Sequence, residues 1–163
     1  MIKKVSGAKL KTVLIAVAFV VVCFAAPAAG QLFGGPGQWY RELNKPSFTP
    51  PGWLFGPVWT LLYICMGLAA WLIWRKIGFR RGVLPLSLFA LQLILNAVWT
   101  PLFFGLQSPL LAFVDIVALW MALTLTTICF FRVSRTAGWL LVPYLAWSTF
   151  AAVLNFTICR MNL

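Results

Sequence analysis

The apolar residues of this chain are gathered into five long runs, with short polar segments between them. The runs cover residues 12–32, 53–74, 83–104, 109–131 and 137–159. An α-helix needs about 20 apolar residues to cross the hydrocarbon core of a bilayer, and each run meets that length. The pattern therefore predicts an all-α membrane protein, a single domain over residues 1–163 built as a bundle of five transmembrane helices.

Composition places the outer surface of this bundle in lipid. Of the 163 residues, 63% are hydrophobic and 9% are charged, and the mean hydropathy is +0.96. An ordinary soluble domain is about half apolar and about a quarter charged. A chain with so little charge cannot cover itself with polar groups in water, so a soluble enzyme is excluded.

The positive charges indicate orientation rather than nucleic-acid binding. The net charge is +11, and ten of the 13 cations lie before the first run or in the second and fourth connections. The other three are Arg41, Lys45 and Arg160, in the first connection and at the C-terminal end. Under the positive-inside rule this asymmetry predicts a cytoplasmic N-terminus and a C-terminus outside, as in a bacterial inner membrane. The chain has no basic patch with interleaved aromatic residues of the kind that single-stranded nucleic acid requires.

The first run has a second interpretation. Basic residues, the apolar stretch from Val13 to Ala26 and the small residues that follow it are also typical of a cleavable signal peptide. The apolar residues continue to Phe33, which gives about 20 residues and favours a retained span. Both interpretations stay open at this point.

The first connection, residues 33–52, is much longer than the others. Connections longer than about 12–15 residues are usually functional or disordered. Because this one carries Trp39, Tyr40 and Phe48, we predict a structured lid over a ligand site. An aromatic belt at the membrane interface is the alternative.

Polar and aromatic residues recur at helical spacing on one face of three runs, and the fourth run carries an acid. The stripes are Thr60, Tyr63 and Gly67 in the second run, flanked by Trp59; Gln92, Asn96, Trp99 and Phe103 in the third; and Tyr144, Ser148, Ala151 and Asn155 in the fifth, with Trp147 adjacent. The acid in the fourth run is Asp115. Polar groups inside a bilayer are costly, so such stripes turn toward the bundle interior. Interhelical hydrogen bonding is the simpler explanation for each residue alone. Together, the stripes predict an indole-lined cavity for a flat, mostly apolar ligand with polar edges.

Catalytic and metal sites find little support in the residue inventory. Histidine is absent, the four cysteines are far apart, and the chain has only two acids. Neither a catalytic triad, a zinc site nor a carboxylate pair can be built from these residues. We predict no metal and no obligatory cofactor. Redox chemistry or photochemistry at Trp59 and Trp147, with tryptophan as electron donor, is the one catalytic option left.

Three motifs, in this order, carry a family resemblance. They are Trp39-Tyr40 with Leu43-Asn44-Lys45-Pro46-Ser47-Phe48-Thr49-Pro50-Pro51-Gly52-Trp53 and Trp59-Thr60-Leu61-Leu62-Tyr63, then Asn96-Ala97-Val98-Trp99-Thr100-Pro101-Leu102-Phe103-Phe104-Gly105, and Pro143-Tyr144-Leu145-Ala146-Trp147 with Asn155-Phe156. The sequence resembles the tryptophan-rich sensory protein (TspO/MBR) family, which includes the mitochondrial translocator protein. The likeness extends from the first connection nearly to the C-terminus.

The resemblance implies five transmembrane helices, a pocket roofed by the first connection, a homodimer, and porphyrins such as protoporphyrin IX as ligands. Some members also bind cholesterol or benzodiazepine-type compounds. The sterol pattern of the family is incomplete here, because Phe156 stands where tyrosine is expected. The family's site residues match Trp39, Tyr40, Trp59, Asn96, Asp115 and Trp147. With Tyr63, Trp99 and Tyr144 from the stripes, these form the predicted ligand site.

We therefore predict a membrane receptor, sensor or transport-linked protein that binds porphyrins and other flat hydrophobic ligands, with lipid and a second copy as partners. Two alternatives remain. One is a light- and oxygen-dependent enzyme that degrades porphyrin, which would then be a substrate, through Trp59 and Trp147. The other is a small transporter without tetrapyrrole specificity, in which Asp115 would couple transport to protons.

Overall fold

The computed structural model describes residues 2–32 and 35–163, and these residues form α-helices and no strands. In chain order the helices are α1 (Ile2–Gln31), α2 (Gln38–Glu42), α3 (Gly52–Arg81), α4 (Val83–Thr100), α5 (Pro109–Val133) and α6 (Arg135–Asn162). The chain is therefore an all-helical protein, as predicted. The count differs, because six helices are present among the described residues where five were predicted.

The additional helix, α2, lies within the first connection. It is one turn long, and the backbone N–H of Leu43 closes it on the carbonyl of Trp39 at 3.2 Å. The side chain of Gln38 donates to Glu42 across the same turn, at 2.8 Å. So short a helix has no run of apolar residues, and hydropathy alone does not indicate it. Residues 33 and 34 of the predicted lid lie outside the described residues.

Four helical segments are long and apolar enough to cross a membrane. They are Gly52–Arg81, Val83–Gly105, Pro109–Val133 and Arg135–Asn162. Within α1, the apolar helix that the described residues establish is shorter, Leu10–Ala25. The chain is thus an integral membrane protein. α1 begins well before its predicted run, and α3 ends well after its own. Arginine and lysine interrupt an apolar run, but both residues are compatible with a helix.

The five long helices form a closed ring. Going around it, α1 packs against α3, α3 against α6, α6 against α5, α5 against α4, and α4 again against α1. At one end of the ring, the ammonium of Lys76 in the C-terminal part of α3 donates to the carbonyl of Val133 at the end of α5. The opposite end carries α2 and the C-terminal end of α6, so the first connection lies over that opening.

A π-helical turn, Pro101–Gly105, continues α4 toward the lid end. Pro101 has no N–H to donate to the carbonyl of Ala97. The N–H of Leu106 reaches the carbonyl of Pro101, five residues earlier, at 2.8 Å. A π turn widens the helix and changes the direction of the side chains that follow. Here it brings the fully buried ring of Phe103 under α2.

Candidate functional site

The centre of the ring holds a hydrogen-bonded group of three side chains, the central network: Tyr63, Asn96 and Tyr144. The Tyr63 hydroxyl donates to Asn96 Oδ1 at 3.2 Å, and Asn96 Nδ2 donates to the Tyr144 hydroxyl at 3.1 Å. All three residues are buried, with 6%, 7% and 0% of their surfaces exposed. One asparagine therefore links α3, α4 and α6 inside the bundle.

Two tryptophans flank the central network. Trp59 stacks on the ring of Tyr63 at 5.2 Å between centroids and meets Tyr144 edge-on at 5.9 Å. Trp147 packs against the same apolar core and contacts Phe55 and Phe150, at 5.8 and 5.6 Å. The structure therefore brings Trp59, Tyr63, Asn96, Tyr144 and Trp147 together at the middle of the bundle.

Several buried polar atoms near this network have no hydrogen-bond partner among the described residues. They are the indole N–H of Trp147, the Oδ2 atom of Asp115, and both amide atoms of Gln92. Asp115 lies within electrostatic range of Tyr144, and Gln92 is one helical turn before Asn96. Buried polar groups are normally paired, because leaving one unpaired costs about 1–3 kcal/mol. These groups offer both donors and acceptors to a bound molecule.

A second group, the lid cluster, lies at the lid end of the bundle, where α2 packs on the end of α4. It is formed by Trp39, Tyr40, Trp99, Phe103 and Phe104. Trp99 stacks on Phe103 at 4.8 Å, and Trp39 meets the same ring edge-on at 5.5 Å. Tyr40 contacts Phe104 at 5.5 Å. These contacts seat the short helix on the end of α4.

The amide of Asn155 fixes the position of Trp99. The Trp99 indole N–H donates to Asn155 Oδ1 at 3.0 Å, and Asn155 Nδ2 donates to the carbonyl of Pro109 at 2.9 Å. This asparagine ties α4 and the start of α5 to α6. Asn155 therefore has a structural role in the bundle. The buried polar atoms of Gln92, Asp115 and Trp147 have no such partner among the described residues.

Two polar contacts hold the lid down. The backbone N–H of Asn44 donates to Asn162 Oδ1 at 3.0 Å, and Asn162 Nδ2 donates back to the carbonyl of Asn44 at 2.9 Å. Lys45 Nζ reaches the carbonyls of Tyr40 and Leu43 at 2.6 and 2.9 Å, which caps the C-terminal end of α2. Partial burial also raises the pKa of Tyr40, so its phenol stays protonated. The lid is thus attached to the last turn of α6.

The nine predicted site residues therefore fall into two adjoining groups rather than one. Trp39, Tyr40 and Trp99 belong to the lid cluster, and the other six lie at or beside the central network. Phe150 joins the groups, because it contacts Trp147 and also packs with the lid cluster. Phe150 and Asn162 were not among the predicted site residues. Phe150 is one helical turn after Trp147, and Asn162 is two turns after Asn155, so helical spacing could have indicated both.

The comparisons with known proteins agree with these motifs. The model of the TspO/MBR family matches residues 17–161. The chain is 48% identical to the tryptophan-rich protein TspO of Chlorobaculum tepidum over 158 residues, which cover 93% of this chain and 98% of that protein. It is 44% identical to the tryptophan-rich protein TspO of Archaeoglobus fulgidus, over 90% of this chain and 95% of the relative. It is 41% identical to the human translocator protein, over 84% and 86% of the two chains.

Proposed function

Because this chain belongs to the TspO/MBR family, we propose that it is a membrane receptor for porphyrin-type tetrapyrroles. The ligand would enter between the central network and the lid cluster. The observation that carries this proposal is the set of unpaired buried groups on Gln92, Asp115 and Trp147 beside a wall of aromatic rings.

The chemistry of a porphyrin complements both features. Its flat macrocycle stacks on indole faces, and the half-buried rings of Trp59 and Trp147 would each present one. Its polar edge groups supply acceptors for the Trp147 N–H and partners for the Gln92 amide. Pairing those groups removes the cost that they carry in the ligand-free bundle.

The same proposal includes an arrangement in the membrane. We infer that α1 is the fifth crossing, because it packs along α3 and α4 over its apolar stretch Leu10–Ala25. Ten cations lie in the N-terminal part of α1 or at the end of the bundle opposite the lid, which supports a cytoplasmic N-terminus and an outward-facing lid in a bacterial inner membrane. A homodimer is also part of the proposal and rests on the family alone.

Binding is tested by porphyrin quenching of tryptophan fluorescence in detergent or nanodiscs. Protoporphyrin IX is expected to quench saturably, and Trp147→Phe and Trp59→Phe are each expected to weaken binding about 2–10-fold, since an aromatic contact contributes about 0.5–1.5 kcal/mol. Trp139→Phe is the matched control, because Trp139 is 65% exposed and touches Phe131 outside the site. Equal affinities in all three variants would place the porphyrin elsewhere.

A second prediction concerns release of the lid. Asn162→Ala removes both hydrogen bonds to Asn44, and we expect amides 38–45 to exchange hydrogen about fivefold faster, for a loss of about 1 kcal/mol at an exposed site. Porphyrin association and dissociation are both expected to accelerate. Hydrogen–deuterium exchange by mass spectrometry measures the first effect and stopped-flow quenching the second.

The control for the lid is Thr157→Ala. Thr157 is on the same helix, and its hydroxyl donates to the carbonyl of Val153 one turn earlier in that helix. If Asn162→Ala leaves lid exchange at the rate of this control, the two asparagines do not hold the lid.

A further inference from the structure

A groove of about 340 Å³ lies on the outer face of the bundle between α1 and α3. Its α1 wall runs from Thr12 to Val20, and its α3 wall is formed by Leu68 and Trp71. The surface that it exposes is entirely apolar. It is separate from the central network and from the lid cluster.

Close packing at one point explains the shape of this α1–α3 groove. Gly67 has no side chain, and a Cβ built there would lie 2.5 Å from the Cα atom of Val20. The two helix backbones are thus in direct contact at this end of the groove. Farther along, the small side chain of Ala16 leaves space that neither helix fills.

A cation marks the other end of the groove. The guanidinium carbon of Arg75 lies 4.5 Å from the centre of the Trp71 ring, and Arg75 is exposed. The chain has only two acids. Glu42 is in α2 at the opposite end of the bundle, and Asp115 is buried inside it. The chain therefore supplies no side-chain carboxylate to neutralise Arg75.

The indole of Trp71 adds a donor between the cation and the apolar wall. Its Nε1 atom is buried and has no hydrogen-bond partner among the described residues. Trp71 and Arg75 are four residues apart on one helix, or about 6 Å along its axis. The polar zone of one leaflet is about 5–8 Å deep, so the two groups match the levels of a lipid's glycerol esters and phosphate.

We propose that the α1–α3 groove binds one anionic phospholipid. An acyl chain lies along the wall from Thr12 to Val20, the Trp71 N–H donates to an ester carbonyl, and Arg75 holds the phosphate. The planar guanidinium is suited to a phosphate because it donates two parallel hydrogen bonds. Basic pockets between transmembrane helices at the positively charged side of a protein recognise such head groups. This site does not depend on porphyrin binding.

Native mass spectrometry tests the proposal on full-length protein taken from bilayers of phosphatidylcholine with or without phosphatidylglycerol. We expect one phosphatidylglycerol to be retained in preference to phosphatidylcholine. Arg75→Gln is expected to lower that preference about tenfold, as loss of a charge-assisted contact would. The control is Arg135→Gln, which removes the same charge at the same end of the bundle and should keep the preference.

A second variant separates the acyl chain from the head group. Ala16→Leu partly fills the groove, and we expect it to lower retention of both lipids while thermal stability is kept. Equal retention of the two lipids by the unmodified protein would overturn the proposal. So would equal losses in Arg75→Gln and Arg135→Gln, or full competition by inorganic phosphate alone. A shift from dimer to monomer in Ala16→Leu, without loss of lipid, would assign the groove to a second copy instead.

Discussion

Replacing Gly67 by alanine is expected to lower the free energy of unfolding by about 1–3 kcal/mol, the range for overpacking a tight core. The added methyl group would lie 2.5 Å from the Cα and 2.8 Å from the backbone nitrogen of Val20. A backbone cannot move aside as a side-chain end can, so α1 must shift away from α3. Thermal unfolding followed by circular dichroism in detergent measures the loss.

The matched control is Gly56→Ala on the same helix. A Cβ at Gly56 meets no atom of the described residues within 4 Å, and alanine favours a helix over glycine by up to about 1 kcal/mol. This variant is expected to keep or slightly raise the unfolding temperature. Gly138→Ala tests an intermediate case, because its Cβ would meet the ring of Phe131, a side chain that can rotate. Unfolding of Gly67→Ala at the unmodified temperature would show that α1 does not sit on α3 at this point.

Asn96→Leu is expected to have the largest effect on the ligand site. It removes the acceptor of the Tyr63 hydroxyl and the donor to the Tyr144 hydroxyl, and leaves both phenols buried. Hydrogen bonds between transmembrane helices average about 0.6 kcal/mol and reach about 1.7, so we expect a total loss of about 1–3 kcal/mol. Porphyrin affinity should fall as well, because Trp59 stacks on the ring that the asparagine holds.

A double-mutant cycle shows whether Asn96 acts through its bonds. Tyr63→Phe alone should cost stability, whereas Tyr63→Phe added to Asn96→Leu should cost little more, because the bond is already lost. Additive losses would mean that the hydroxyl and the amide do not interact.

Gln92→Leu, one helical turn away from Asn96, provides a control for which the expected change in stability has the opposite sign. Neither amide atom of Gln92 has a hydrogen-bond partner among the described residues, and the residue is fully buried, so leucine removes a penalty and should raise the stability of the ligand-free protein. If this amide contacts the porphyrin, the same variant should weaken binding. Loss of stability in Gln92→Leu would indicate that the amide is paired inside the bundle and is not held for a ligand.

The helical class and the inward-facing side chains could be predicted because the bilayer acts on each segment separately. A buried polar group costs free energy wherever it lies along a span, so the period of Gln92, Asn96 and Phe103 already identifies the interior face of α4. All three are buried. The one-turn helix α2 was missed, because its five residues carry no periodic apolar signal.

The pairing of distant segments could not be read from periodicity. Asn44 and Asn162 are 118 residues apart, and their two bonds form only because the end of α6 meets the lid. Periodicity also does not show that the nine predicted residues form two adjoining groups. The π turn at Pro101 directs Phe103 toward α2, and Trp99 is held there with it rather than beside Trp59.

The sequence by itself determined that this chain is a helical membrane protein, which segments are apolar, and which face of each is polar. Those properties follow from transfer free energies and helical period, which are local. Only the tertiary structure decided the order of helices around the ring, the attachment of the lid to α6, and which buried polar atoms stay unpaired. These depend on contacts between segments remote in sequence, where shape and hydrogen-bond geometry, rather than hydropathy, select the partner.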